Sequence, residues 1–398
     1  MAVRAAERKD TVKSVALTAI CFLAAAAASA ATLNVTKTTD DPVNGCDADC
    51  SLREAVIAAN LTVEHDTIVI PAGTYMLSLV GAGEDASLTG DLDFNENVTL
   101  VGDPAGGTII DGILSDRLVH LTAGTVELVD LVLTRGSTVG DFFGAGGILV
   151  EYGTLTMTRC VLSDCTCDAY GGGIFSMGTV TIDRSAVIDN TGSSGGGVYH
   201  AGYNLTLINS TVSGNTATTQ FSGGVSIDGL AYLTSIESST FSDNTGPESS
   251  AVSFRSIASI SNSIFDGDCV FIAGMGSLQS EGGNLESPGD TCHLIHATDQ
   301  VGVSPAELNL GPLQVNGGTT QTHALLGGSF AIDSGVQTFC PATDQRGWLR
   351  WDGSCDIGAY EVGATESLIF SDGFEDGTLN AWSLADTNEG GWGWVPRR

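Results

Sequence analysis

Apolar and polar positions alternate in short runs along residues 124–286, and the runs repeat. GTVELVDLV at residues 124–132 returns as GTLTMTRCV at 153–161, GTVTIDRSA at 178–186, YNLTLINST at 203–211 and YLTSIESST at 232–240. Matching positions Val126, Leu155, Val180, Leu205, Leu233 and Ala258 lie 29, 25, 25, 28 and 25 residues apart. Glycine clusters keep the same step at Gly146-Gly147, Gly172-Gly173, Gly196-Gly197 and Gly223-Gly224, and Ser250-Ala251 takes that slot in the next copy. Period-2 alternation with β-branched residues, as in Thr179-Val180-Thr181-Ile182, predicts strands. Helical repeats need runs of helix formers about 10 residues long, and this region has none.

Two or three short strands per 25 residues, split by Gly, Asn, Asp and Ser, fit one turn of a right-handed parallel β-helix. A propeller blade needs four strands in about 40–50 residues, which this period cannot hold. Each coil then pairs edgewise with the next at roughly 4.8 Å. Val126, Leu155, Val180 and Leu205 are expected to stack inside. Asn190, Asn215 and Asn244 are expected to form a turn ladder bonded to the backbone of neighbouring coils. Dividing residues 66–361 by the period predicts about ten to twelve coils.

Ahead of the repeats, residues 1–30 read as an export signal. Arg4, Arg8, Lys9 and Lys13 precede an alanine-rich apolar run that ends in Ala28-Ser29-Ala30. Cys21 follows Ile20, which argues against a lipoprotein. A first strand is expected in residues 32–39. Ser51 and Glu54 are spaced as a capping box for a helix over residues 52–60, covering the open edge of the first coil. Residues 31–65 therefore form an N-terminal strand and cap. Residues 66–361 form the β-helix with its closing region from about 287, and residues 362–398 a short tail. Residues 81–90 read as a loop excursion among less regular early coils.

Composition narrows the partners. The chain has 398 residues, 52 Gly, 9 Pro and a net charge of −32. Losing residues 1–30 removes four basic and two acidic residues from 15 and 47, leaving a mature chain at −34. Nucleic acid and anionic membranes are poor partners for such a surface. The acidity suits the solubility of a long exposed solenoid, with divalent-cation binding or life in high salt as the sharper reading, and the protein is expected to be a monomer.

The run CSLREAVIAAN at residues 50–60 resembles the signature of the CSLREA-domain proteins. DTIVIPAGTY at 66–75, NVTLVG at 97–102 and TIIDG at 108–112 also fit that family. The resemblance implies a secreted bacterial protein with a pectin-lyase-like, right-handed parallel β-helix. Residues 310–335, with GPLQ at 311–314 and NGGT at 316–319, precede DQRG at 344–347 and CDIGAYE at 355–361. This segment resembles the choice-of-anchor Q domain that closes many such helices. Trp382, Trp392 and Trp394 lie in a tail too short for a carbohydrate-binding sandwich.

Nine cysteines remain after cleavage, in a chain bound for an oxidising compartment. Cys46/Cys50, Cys269/Cys292 and Cys340/Cys355 are expected as local disulfides. Cys160, Cys165 and Cys167 form an odd cluster, read as a disulfide with a spare thiol, with metal binding as the rival. Asp164, Asp189 and Asp243 recur at one corner, as a structural ladder or a weak calcium or polysaccharide site. Arg159 and Arg184 share a slot in adjacent coils and make a small basic spot or balance the acids. Asp344, Arg346, Arg350, Asp356 and Glu361 read as charge-paired structural residues. The histidines His65, His120, His200, His293, His296 and His323 are scattered. No nucleophile–base pair, phosphate loop or zinc-protease motif occurs, so no catalytic residue and no resident cofactor or metal are assigned.

The expectation is a secreted or surface-displayed, adhesin-like β-helix that binds polysaccharide or another cell-surface ligand without catalysis. The alternative is a polysaccharide lyase or glycoside hydrolase acting on an acidic polysaccharide. An enzyme would gather unlike side chains from three neighbouring coils in a charged groove. A binding solenoid would show a ladder of polar or aromatic residues instead.

Overall fold

The computed structural model describes residues 29–41, 45–81, 83–228, 232–271, 278–350 and 353–365, and the backbone of two paired strands, Trp382–Thr387 and Gly391–Pro396. The expected leader, Cys21 included, lies outside the described residues apart from its last two positions. Of the expected tail, residues 362–365 and the backbone of the two paired strands that carry Trp382, Trp392 and Trp394 are described, and the rest lies outside the described residues. Among the described residues no helix is long and apolar enough to cross a membrane.

The chain winds as an all-β, right-handed parallel β-helix. Successive coils contribute strands to sheets of ten, nine and eight strands, and four coils add a short fourth sheet. Every pairing between coils is parallel, with each strand bonded to its counterpart one coil away. Such crossovers take the right-handed sense for the steric reason that twists strands. Val126, Leu155, Val180 and Leu205 stack in register inside, each fully buried. The next rung corrects the sequence alignment. Leu233 is 48% exposed, and Thr234 takes the inward place opposite Leu205. Leu233 and Ile236 are three positions apart, so a period-2 strand cannot bury both, and Ile236 wins.

Two corners of the regular coils take left-handed backbone. At the first, Asp130, Arg159, Arg184, Asn209, Ser238 and Asn262 have φ of 56°, 52°, 48°, 47°, 45° and 47°. At the second, Asp164, Asp189 and Asp243 have φ of 55°, 55° and 56°, with Gly214 in the intervening coil. Short polar side chains tolerate this region, which explains the Asn, Asp and Ser at these slots. Inside the second corner, the Asn190 amide donates to Asn215 Oδ1 at 3.0 Å, and Asn215 donates to Asn244 Oδ1 at 3.0 Å. Their side-chain oxygens also accept the backbone N–H of the preceding coil at 3.0 Å. The expected asparagine ladder is therefore present and buried.

Helix α1 (Leu52–Ala59) covers the first coil. Both halves of the Ser51/Glu54 capping box form, and Leu52, Ala55, Val56 and Ala59 face the core. The Cys46–Cys50, Cys269–Cys292 and Cys340–Cys355 disulfides are closed, with Cα separations of 4.5, 4.7 and 6.1 Å. The trio behaves differently from expectation: Cys160, Cys165 and Cys167 are all free and buried. The Cys160 N–H donates to Ser185 Oγ and the Cys165 N–H to Asn190 Oδ1, so each cysteine ends a different corner ladder. Two ladder ends at separate corners hold the sulfurs apart.

Among the described residues the coils are fewer than the period predicts. Of the ten strands in the largest sheet, Thr32–Asn34 precedes Asp66, which leaves nine coils from there to Leu278–Gly282. Later residues run back along the outside of the nine-stranded sheet. Gln345 bonds Thr211, His323 bonds Ser213, and Arg350 bonds Asn209. Val303, Leu308, Leu325, Ala331 and Ile357 form a second small core against Ile264 and Leu285. Arg350 is buried against Glu361 at 2.7 Å, and Arg346 pairs with Asp344 between the rings of Trp348 and Tyr360. The charged motif is structural, as expected, but it straps the side of the solenoid.

Candidate functional site

Each three-residue strand of the eight-stranded sheet points its outer two residues inward and its middle residue outward. Register brings the middle residues into one row: Asp93, His120, Leu149, Phe175, Tyr199 and Ser226. The row starts charged and becomes aromatic. Leu149, Phe175 and Tyr199 are covered by Tyr170, Met177, Ala201 and Phe221, forming a small apolar cluster outside the coil interior.

The charged end is the first part of the site. Asp91, Asp93, Asp116, Arg117 and His120 are all buried there, drawn from two adjacent coils. Asp141 and Glu151, from the third coil, and Asp85, from the 81–90 loop, stand at its rim. Arg117 Nε lies 2.6 Å from Asp91 Oδ2, and its Nη1 lies 3.5 Å from Asp141. His120 Nδ1 sits 3.4 Å from Asp93 and 3.5 Å from Asp85, while Nε2 sits 3.5 Å from Glu151.

Burial, then repulsion from Asp93, pushes the Asp91 carboxyl up to about 7, against the pull of Arg117. Burial also raises Asp116, opposed by a backbone N–H and by Arg117. For His120, burial lowers basicity, but the Asp93 and Asp91 carboxylates prevail and its pKa lies above the ordinary value. The cap positions this group. Arg53 donates to the carbonyls of Ser87, Gly90 and Asp91 at 3.2, 2.7 and 3.0 Å, and Asn60 donates to Asp93 O at 2.7 Å.

A groove leads away from the charged end. It follows the short four-stranded sheet and crosses five coils, roughly 20 Å at 4.8 Å per coil. Two cavities of about 550 and 400 Å³ make it up, joined at Gly140 and Asp141. Asp116 and Arg117 line the first; Phe142, Asp168, Tyr170, Ser194 and Gln220 line the second. Phe142 is 72% exposed and packs edge-on against Tyr170, whose ring lies 4.9 Å from Phe175 and 4.8 Å from Tyr199. Aromatic rings and hydroxyl, amide and carboxylate groups thus share the lining.

The residues singled out from sequence sit elsewhere. Asp164, Asp189 and Asp243 stack on the outer second corner, where burial and mutual repulsion raise Asp189. Arg159 makes a two-point contact to buried Asp130 at 2.6 and 2.7 Å, and Arg184 pairs with Asp183 at 2.9 Å. None of the five lines the groove. Sequence reasoning missed His120, Arg117, Asp91, Asp93 and Asp116. One usable signal existed: Asp93 and His120 occupy the same strand slot one coil apart.

No family model matches the chain, and no curated protein matches it. The CSLREA and choice-of-anchor likenesses therefore rest on sequence motifs alone. Among solved structures the chain is similar to a pectate lyase, Pel9A, at 12% identity with a TM-score of 0.41, over 84% of this chain and 97% of that one.

Proposed function

We propose that the groove binds one extended polysaccharide chain without cleaving it. The observation that carries this is a groove in which the rings of Phe142 and Tyr170 share the lining with polar side chains of three successive coils, Asp168, Ser193 and Gln220. Aromatic faces cover the apolar C–H face of a sugar ring, and hydroxyl and amide groups bond its edge. A groove that crosses successive coils suits a polymer. Asp116, Asp141 and Asp168 outweigh Arg117 in the lining, so an uncharged or amino-sugar polymer fits and a uronate polymer is repelled.

Calorimetric titration against neutral, amino-sugar and uronate polysaccharides tests this, with reducing ends and unsaturated products assayed in the same samples. Neutral or amino-sugar polymer is expected to bind, at least tenfold more weakly to Tyr170→Ala and Phe142→Ala. Binding confined to uronate polymers would defeat the proposal.

A further inference from the structure

We propose that Asp85, Asp93 and His120 form a binding site for one divalent transition-metal ion of the zinc class. Their ligand atoms all lie within 4.8 Å of one another. The two His120 Nδ1–carboxylate distances are 3.4 and 3.5 Å, too long for a strong charge-assisted hydrogen bond. They do match the edge of a tetrahedron: zinc bonds of 2.0–2.2 Å place neighbouring ligand atoms about 3.3–3.6 Å apart.

Burial supplies the second line of argument. Asp93 is 2% exposed and His120 6% exposed, and both aim into the cluster. Asp93 Oδ1 and both ring nitrogens of His120 lack hydrogen-bond partners. Buried polar atoms left in that state are costly, and an ion would satisfy Oδ1 and Nδ1 together. The remaining atoms are disposed accordingly. Asp93 Oδ2 accepts the Ser87 N–H at 2.7 Å, which turns Oδ1 inward. Glu151 lies 3.5 Å from His120 Nε2, so the ring nitrogen turned away from Asp93 and Asp85 also faces a carboxylate. Arg117 is drawn to Asp91 at 2.6 Å.

Asp85 enters from the exposed 81–90 loop, with its side chain 72% exposed, so a fourth position opens to water. One imidazole with two carboxylate oxygens selects zinc-like ions over calcium and magnesium, which take oxygen ligands alone.

Chelator-treated, untagged protein titrated with zinc, calcium and magnesium tests the site, with cobalt substitution as a spectroscopic readout. One equivalent of zinc is expected to bind, at least tenfold tighter than calcium or magnesium, and cobalt should show visible bands of a four-coordinate N/O site. Asp85→Asn, on the exposed loop, is expected to weaken zinc at least tenfold without disturbing the buried residues; His120→Ala should abolish the cobalt bands. Absence of stoichiometric zinc, equal affinity for calcium, or unchanged zinc binding in Asp85→Asn would overturn the assignment.

Discussion

Arg53 Nε lies 2.6 Å from Asp40 Oδ1, and its guanidinium also holds three carbonyls at the foot of the 81–90 loop. The capping helix and the charged end of the groove are therefore one mechanical unit. Arg53→Met leaves buried Asp40 uncompensated and frees the loop, so a loss of about 3–5 kcal/mol is expected. Arg53→Lys should also destabilise, because a single ammonium cannot reproduce the planar fork. Urea denaturation monitored by circular dichroism checks both. A midpoint unchanged in Arg53→Met would disprove the coupling.

The asparagine ladder gives a second prediction. Asn215 accepts from Asn190 and donates to the Val187 carbonyl at 2.8 Å on one side, and donates to Asn244 on the other. Asn215→Leu keeps the volume but strands the buried Asn190 N–H, and a cost on the order of 3 kcal/mol is expected. Equilibrium unfolding of the variant measures it. A change under about 0.5 kcal/mol, the range of ordinary surface substitutions, would mean the ladder is decoration.

These two cases show what the sequence could reveal. Asn190, Asn215 and Asn244 recur at the coil period, and a repeating chemical group at a repeating slot needs no three-dimensional information to be seen. Ser51 and Glu54 were legible because a capping box is local. The charged cluster was not. Asp93 and His120 are 27 residues apart and look unrelated until register puts them opposite each other. The returning strap was also hidden, because Arg350 meets Asn209 across 141 residues of sequence with no periodic pattern to link them. Leu233 misled for a further reason: Tyr232-Leu233 imitates the start of its neighbour, and only competition with Ile236 for the interior decides the register.

The free thiols can be counted directly. Burial pushes Cys160 and Cys165 up to about 12 and Cys167 up to about 11, so the reactive thiolate is nearly absent at pH 8. Iodoacetamide at pH 8 is expected to leave all three untouched in the native protein. In urea without reductant, all three should label, located by peptide mapping. Label at only one of them in urea would reveal a disulfide within the trio and contradict the ladder positions.

His200 sets an acid limit on stability. It lies fully buried in the coil interior, between Ser176 and Ile227 in register, with no charged partner on either rung. Burial lowers its pKa to about 4, and contact with the Tyr203 backbone offsets this only in part. In the unfolded chain the imidazole titrates near 6.5. Between pH 6.5 and 4 the unfolded chain therefore takes up a proton that the native chain refuses. Stability must then fall as pH drops through that window, by on the order of 3 kcal/mol from this group. His200→Leu removes the titration while keeping the interior filled. Its stability relative to the parent should accordingly be about 3 kcal/mol better at pH 4 than at pH 7, whatever the packing change contributes at both. Equilibrium unfolding at the two pH values isolates this difference, because packing terms cancel in it. An identical offset at both pH values would show that His200 is protonated inside the coil, which would require an anionic partner that neither neighbouring rung supplies.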